Sequence, residues 1–349
     1  MIVEAIKKVV EKKDLTREEA FSVMDDIMSG RASDAQIASF LTALRMKGET
    51  VEELTGFTRV MREKVTEIKT KRRVITGLSG RDREMLVDTC GTGGDASNTF
   101  NVSTTTAFVV AGAGIPVAKH GNRSVSSVCG SADVVEALGV RLDLSPEKVG
   151  QCIDDIGIGF LYAPLLHKAM KHVMAARREI RIRTVFNILG PLTNPAKALA
   201  QIIGVYDGSL TEVMAKVLNE LGSIRAFVVH GQDGLDEISN TAETKVSEVK
   251  GNKVETYYIR PEDFGIKRAR MDDLLGGSVA DNAEIILSIL DGEKGPKRDI
   301  VLLNAGAAIV AGGKARDLKE GLEMAAYSID SRAAKEKLDK LVEFCAKGS

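Results

Sequence analysis

The sequence predicts an α/β protein: a mostly parallel central sheet flanked by helices, plus a smaller all-helical N-terminal domain. Three observations predict it. Residues 1–66 carry apolar side chains at helical spacing behind three successive capping boxes. From Met85 the pattern changes to short apolar runs alternating with helical segments, as in βαβ units. A Gly-rich turn, Gly91-Thr92-Gly93-Gly94-Asp95, separates the first such run from the helix after it.

The elements follow in order. Ile2, Ala5, Ile6, Val9 and Val10 recur at helical spacing. Thr16 with Glu19, Ser33 with Gln36, and Thr50 with Glu53 open helices over 17–29, 34–46 and 51–66. Residues 67–84 are charged and irregular and read as a hinge into the second domain, 85–349. Met85-Leu86-Val87 is a buried strand, Ser103-Thr104 starts a helix, and Ile115 to Ala118 is the next strand. Ser131 is an N-cap and Gly139 a stop; Ser145-Pro146-Glu147 opens another helix. Gly157 to Leu161 is a strand, Pro164 to Arg178 one helix, and 184–198 a Pro/Gly/Asn loop. Leu199 to Tyr206 and Ile224 to Val229 are strands around a helix from Thr211 to Leu221. Val246–Val249 and Val254–Ile259 form a hairpin about Lys250-Gly251-Asn252. Helices fill 281–291, 299–311 and 316 to the C-terminus. Part of 163–182 is expected to join the helical domain.

Composition narrows the function. The chain has 349 residues, 44% hydrophobic and 28% charged, with a net charge of −1. That balance offers no global basic field for nucleic acid or a membrane surface. No apolar run reaches the roughly 20 residues of a membrane span, and no signal peptide is visible, so the cytoplasm is the expected location. The 4 cysteines, at 90, 129, 152 and 345, make no CxxC pair, which fits a reducing compartment. Cys90 reads as a small packed residue rather than a nucleophile.

The stretch from Met85 to Val140 carries the chemistry. Glycines let backbone N–H groups turn toward a ligand, and the helix N-terminus behind them adds partial positive charge. Lys119 and Arg123 close the next strand, so the two loops meet at one sheet edge as a phosphate cradle. The turn is neither a dinucleotide fingerprint nor a Walker A loop. Asp236-Glu237, after the strand ending at His230, reads equally as an exposed turn or as a pair for Mg²⁺.

GTGGD (91–95), NVST (101–104), KHGNRSVSS (119–127), GSADVVEALG (130–139) and RTVFNILGPLTNP (183–195), in this order, resemble the anthranilate phosphoribosyltransferase family over nearly the whole chain. The resemblance implies transfer of phosphoribosyl from phosphoribosyl pyrophosphate to anthranilate in tryptophan biosynthesis. It places Gly91, Thr92, Gly93, Gly94, Asp95, Thr99, Asn101, Ser103, Thr104, Lys119 and Ser131 around phosphoribosyl pyrophosphate. It places Gly91, His120, Asn122 and Arg177 around anthranilate, with Tyr162 and Pro164 as pocket walls. Ser103, Asp236 and Glu237 would hold Mg²⁺, two ions per subunit. His120 is the candidate general base, although an arylamine's free lone pair lets deprotonation follow attack. His167 is given a supporting role behind it. The family also implies a homodimer through the helical domain; a contact with anthranilate synthase is a further expectation, and the net charge and lack of an apolar span give no nucleic-acid or membrane partner. Val128-Cys129, Lys168 and Arg181 depart from the family's Lys-Ser, Pro and Gly. Closure is expected about 67–84 and 178–198.

Two alternatives stay open. A pyrimidine-type nucleoside phosphorylase shares the fold, but its Lys-His-Ser motif differs from Lys119-His120-Gly121-Asn122. A non-catalytic nucleic-acid-binding relative would need a basic groove and loss of the metal pair. No GxGxxG follows the strand, which disfavours a dinucleotide-dependent dehydrogenase.

Overall fold

The computed structural model describes residues 1–72, 74–76, 83–95, 97–124 and 128–347. Arg73, Arg81, Asp82 and the Val125-Ser126-Ser127 part of KHGNRSVSS lie outside the described residues. Four helices open the chain: α1 (Ile2–Val10), α2 (Arg17–Met28), α3 (Asp34–Lys47) and α4 (Val51–Lys64). All three expected capping boxes form, with Thr16, Ser33 and Thr50 accepting from the backbone of Glu19, Gln36 and Glu53. Their inner faces, including Ile27, Ile37, Phe40, Leu44 and Phe57, are fully buried.

The next segment is less irregular than its composition suggests. Thr66 and Ile68 donate backbone bonds to Leu166 and Pro195, and Asp154 accepts from the Thr70 hydroxyl at 2.5 Å and the Lys71 amide at 2.9 Å. Strands β1 (Val74–Thr76) and β2 (Arg83–Met85) then pair antiparallel. The first part of the expected hinge is therefore docked.

The sheet domain alternates strand and helix: β3 (Val87–Gly91), α5 (Val102–Gly112), β4 (Val117–Gly121), α6 (Ser131–Ala137), α7 (Pro146–Gln151) and β5 (Ile158–Tyr162). After α8 (Ala163–Leu166), α9 (Met174–Ile180) and α10 (Val185–Leu192) come β6 (Ala200–Gly204), α11 (Leu210–Glu220), β7 (Arg225–Gly231), β8 (Thr244–Lys250) and β9 (Lys253–Ile259). Helices α12 (Val279–Leu290), α13 (Pro296–Ala311), α14 (Leu318–Asp330) and α15 (Ala333–Lys347) complete the chain. Among the described residues the main sheet has the order β5-β4-β3-β6-β7-β8-β9. The first five strands are parallel and the last two pairings antiparallel. Helix α5 is buried almost throughout because α13, α14 and α15 cover its outer side; a Cβ at Gly112 would lie 2.5 Å from the Ala334 backbone nitrogen.

Four expectations need correction. Residues 184–198 are not all loop: α10 forms because Val185, Phe186, Ile188, Leu189 and Leu192 are buried in the apolar cluster shared with the helical bundle, with the Thr184 N–H donating to Asn187 Oδ1 at its start and Pro191 in its last turn. Pro164 to Arg178 is not one helix. It breaks at His167 and Val173 into α8, a 3₁₀ turn over Lys168–His172, and α9. Ser131 is the first helical residue of α6 and Gly130 the cap. The C-terminal helix is two, interrupted where Arg332 takes φ +66°.

One apolar cluster runs from the bundle (Ile27, Phe40, Leu44) through Val173, Ala176 and Leu189 to Ile203 and Leu218 beneath the sheet. The bundle's polar keystone is Glu53. Its carboxylate, fully buried, accepts from Leu15 N–H at 2.9 Å, Thr50 N–H at 2.8 Å and Lys47 Nζ at 2.9 Å. Glu53→Ala leaves the Leu15 and Thr50 N–H groups without their acceptor and Lys47 with only Asp14 and the Gly48 carbonyl, and the expected loss is about 2–3 kcal/mol. Urea unfolding of Glu53→Ala beside Glu53→Gln checks this, and a loss below about 1 kcal/mol for the alanine variant contradicts it.

Candidate active site

From β3 the chain steps to β4 and β5 on one side, then returns to place β6 on the other. The strand order reverses between β3 and β6, where open α/β sheets bind ligands. The Gly91–Asp95 loop leaves β3 at this point. Thr92 N–H donates to Gly204 at 2.9 Å, and Tyr206 N–H to the Thr92 hydroxyl at 3.1 Å. Gly93 and Gly94 take φ +64° and +79°, a region costly to other residues.

Asp236 enters the gap. Its Oδ2 accepts the Gly93 N–H at 3.0 Å. A Cβ at Gly91 would lie 2.5 Å from that oxygen, and one at Gly204 only 1.4 Å from the Asp236 carbonyl. Two anchors hold the turn after β7. Asp233 accepts from Leu235 N–H, Ser239 Oγ at 2.5 Å and Thr241 Oγ1. Asn304 of α13 pairs with both the N–H and C=O of Ile238, each at 2.9 Å. Asp236 and Glu237 keep an open edge but are otherwise enclosed. Burial, then the Asp95 charge, pushes Asp236 up to about 7. Burial, then Asp236, drives Glu237 well above the usual carboxylate range, opposed by the Lys119 charge.

Lys119 reaches this site because β3 and β4 part. They share one register pair, Val87 with Val117. Beyond it side chains replace the ladder: Asp88 Oδ1 accepts the His120 N–H at 3.1 Å, and Lys119 Nζ donates to the Thr89 carbonyl at 2.5 Å. Lys119 also donates to Ser103 Oγ at 3.3 Å. Burial raises the Asp88 carboxyl, opposed by Lys119. Ser103 and Thr104 occupy the first turn of α5, with Asn101 at the cap position. The Thr104 hydroxyl is buried and finds no partner among the described residues. Asn101 donates to Asn282 at 3.2 Å and to the Cys129 carbonyl at 3.4 Å. Thr99 bridges to Leu275 and lies with Ser97, whose hydroxyl donates to Asp95 at 2.6 Å.

The β4 loop forms the neighbouring wall. Asn122 N–H donates to Ser131 Oγ at 3.2 Å. Arg123, expected beside phosphate, spends its charge on Asp133 and Glu136 at 2.8 and 2.9 Å. His120 and His167 are both buried, with Nε2 atoms 3.2 Å apart. Burial lowers His167 to about 4 and holds His120 well below its ordinary value. Cys90 is buried and its thiol pushed up, as a packed residue should be. Arg177 sits over the Phe186 ring at 5.5 Å, half-buried, with its pKa lowered by desolvation. Such a guanidinium gains from an anion. Arg181 after it takes φ +50°, where glycine is favoured.

The structure thus gathers Gly91–Asp95, Ser103, Lys119, Asp236 and Glu237, while Arg177 lies on α9 over the Phe186 ring. Sequence reasoning missed Asp88, Gly204, Asp233 and Asn304. Only Asp88 left a signal, a charge inside an apolar strand. Among the described residues no three His, Cys, Asp or Glu side chains converge as a ready metal cluster. The donor set fits Mg²⁺ nonetheless: two hard carboxylates beside a third, Asp95, with a shell completed by water and phosphate oxygens.

Residues 83–335 match the glycosyl transferase family, a/b domain, and residues 3–65 the glycosyl transferase family, helical bundle domain. The anthranilate phosphoribosyltransferase of Geotalea uraniireducens is 58% identical over 346 residues, 98% of this chain and 99% of the relative. That of Pelotomaculum thermopropionicum is 59% identical over 344 residues, 99% and 96%. The structure of the Thermus thermophilus enzyme matches with TM-score 0.90 at 42% identity, covering 98% of this chain and 99% of that one. The Saccharomyces cerevisiae enzyme in complex with phosphoribosyl pyrophosphate and Mg matches with TM-score 0.87 at 27% identity, covering 99% and 98%.

The His167 environment predicts a pH effect. Its folded pKa lies below the unfolded value, so its neutral form stabilises the fold above about pH 6.5, and that contribution is lost as pH falls toward 4. Relative to His167→Gln, wild-type stability should fall by up to about 3 kcal/mol across that window. Parallel curves of unfolding free energy against pH contradict it.

Proposed function

The chain belongs to the glycosyl transferase family that includes these anthranilate phosphoribosyltransferases, and from that premise we propose how its residues divide the reaction. It transfers the phosphoribosyl group from phosphoribosyl pyrophosphate to the amine of anthranilate, releasing pyrophosphate. The observation that carries the division of labour is the meeting of the Gly91–Asp95 loop with Asp236 at the β3–β6 gap. The similarity favours this reading over nucleoside phosphorolysis and nucleic-acid binding.

Displacement at the ribose C1 passes through an oxocarbenium-like state, so stabilising the departing pyrophosphate is the main task. The Gly94 and Asp95 amides and the Asp95 side chain face the pyrophosphate–ribose end, and Gly91, Thr92 and Gly93 form the backbone wall beside them, with the Thr92 and Gly93 N–H groups held by Gly204 and Asp236. Asn101, Ser103, Thr104 and Ser131 supply neutral donors at helix starts, and Thr99 another from the segment before α5. Lys119 gives a buried positive charge that its own carbonyl and hydroxyl partners aim. Asp236 and Glu237, with Ser103, hold Mg²⁺, two ions per subunit, which when bound neutralise pyrophosphate charge. Arg177 takes the anthranilate carboxylate as a fork. Gly91, His120 and Asn122 flank its amine. His120, the candidate base, is held neutral by burial against His167, and its low basicity suits deprotonation of the arylamine that follows attack without it.

Domain roles follow the same division: 1–66 with part of 163–182 as the helical domain, 85–349 for phosphoribosyl binding, and 67–84 as the linker. A homodimer through the helical domain is supported by exposed Val3, Val10 and Met46 on α1 and α3. No helix among the described residues is long and apolar enough to cross a membrane, and a cytoplasmic location suits the biosynthetic role. A contact with anthranilate synthase belongs to the same reading. Light scattering tests the dimer; a one-protomer mass at micromolar concentration sinks it, and Met46→Glu should shift the mass downward.

Loss of anthranilate fluorescence, with phosphoribosyl pyrophosphate and Mg²⁺ present, tests the reaction. Asp236→Asn/Glu237→Gln should lose about 100-fold or more in kcat and most of its Mg²⁺ response. Arg177→Ala should raise KM for anthranilate about tenfold and leave that for phosphoribosyl pyrophosphate nearly unchanged. Wild type without turnover, or variants that match it, would overturn the assignment.

A further inference from the structure

One residue outside the roles above grips the Gly-rich loop from the far side. Arg183, just before α10, donates from Nη2 to the Gly94 carbonyl. Its guanidinium lies 4.3 Å from the centroid of the Tyr206 ring. Tyr206 is itself half-buried, and its N–H binds the Thr92 hydroxyl at 3.1 Å. The platform and the loop therefore share one hydrogen-bonded frame. Gly94 is required for the contact as well as for its φ of +79°, since a Cβ there would lie 2.9 Å from Arg183 Nη2.

The physical problem this solves is peptide orientation. Two consecutive glycines in the left-handed region are the freest part of the backbone, and the peptide between Gly94 and Asp95 can rotate at little steric cost. Rotated one way, it points a carbonyl dipole at an incoming anion; rotated the other, an amide donor. A planar trans peptide sends its C=O and N–H in opposite directions. Holding the Gly94 carbonyl on Arg183 therefore turns the Asp95 N–H away from Arg183. Gly93 is fixed at the same time, with its N–H on Asp236. A guanidinium suits the task because it can stack flat on an aromatic ring while its edge donates, which an ammonium cannot do.

We propose that Arg183 is a positioning residue of the phosphate cradle: stacked on Tyr206, it fixes the Gly94–Asp95 peptide so that the Asp95 amide is set for pyrophosphate. The inference rests on the reading that the Gly91–Asp95 loop binds that group. Arg183 acts through the loop, not as a charge on the ligand, so geometry matters more than charge.

The test compares Arg183→Ala, Arg183→Lys, Tyr206→Phe and Tyr206→Leu with wild type in two assays: steady-state kinetics, and calorimetric binding of inorganic pyrophosphate with Mg²⁺. Thermal melting confirms folding of each variant. Arg183→Ala and Tyr206→Leu should each weaken pyrophosphate binding and raise KM for phosphoribosyl pyrophosphate about tenfold. KM for anthranilate should hold within about twofold. Tyr206→Phe keeps the platform and should match wild type. The Arg183→Ala/Tyr206→Leu pair should be no worse than Arg183→Ala alone, as two parts of one device. Full rescue by Arg183→Lys would make Arg183 a simple charge and overturn the proposal. So would unchanged pyrophosphate binding in Arg183→Ala, or additive losses in the double variant. Wild type lacking both turnover and pyrophosphate binding defeats the reading of the site itself; an active wild type with an indifferent Arg183→Ala defeats only this inference.

Discussion

A Cβ on residue 204 would lie 1.4 Å from the Asp236 carbonyl oxygen, so β6 and the loop after β7 meet only across a glycine. Gly91 on β3 makes the same allowance for the Asp236 carboxylate. These two glycines open the one place in the parallel sheet where the strand order reverses, and they let an acidic turn settle into it. The rest of the site follows from that approach. The Gly-rich loop is held by Asp236 from one side and by Arg183 from the other. The acidic turn is held by Asp233 and Asn304. Larger side chains at 91 or 204 would close the crevice before any ligand chemistry mattered.

Electrostatics is the second constraint. Asp88, Asp236 and Glu237 are carboxyls that burial pushes upward. The Lys119 charge opposes this for Asp88 and Glu237. Lys119 can do so because β4 peels away from β3 after a single register pair, and Asp88 and Lys119 satisfy the backbone groups the missing ladder would have paired. Buried carboxyls whose ionised forms need a compensating cation, beside backbone donors, suit a ligand that brings both phosphate and a divalent cation. Neither partner alone complements the site.

Much of this was legible in the residues. The capping boxes at Thr16, Ser33 and Thr50 fix their helices because cap chemistry is local. The GTGGD turn announces its backbone conformation, and the apolar runs announce buried strands. The helix over Val185–Leu192 was not legible: Pro, Gly and Asn suggest a loop, and burial of Phe186, Ile188 and Leu189 overrides them. The break at His167 was hidden too, since His167 leaves helical geometry where it packs onto His120, a residue distant in sequence. Arg123 looked like a phosphate cation until Asp133 and Glu136 claimed it.

The sequence by itself determined the fold class, the helical N-terminal segment, the Gly-rich turn after β3 and, through its motif order, the family. Those depend on periodicity and on local backbone preferences, which reside in neighbouring residues. Only the tertiary structure decided which charges face one another. Asp236 and Gly204 are far apart in sequence, as are Asn304 and Ile238, or Arg183 and Gly94, and no spacing rule links them. Their encounters arise from sheet order and helix packing, which are properties of the whole chain.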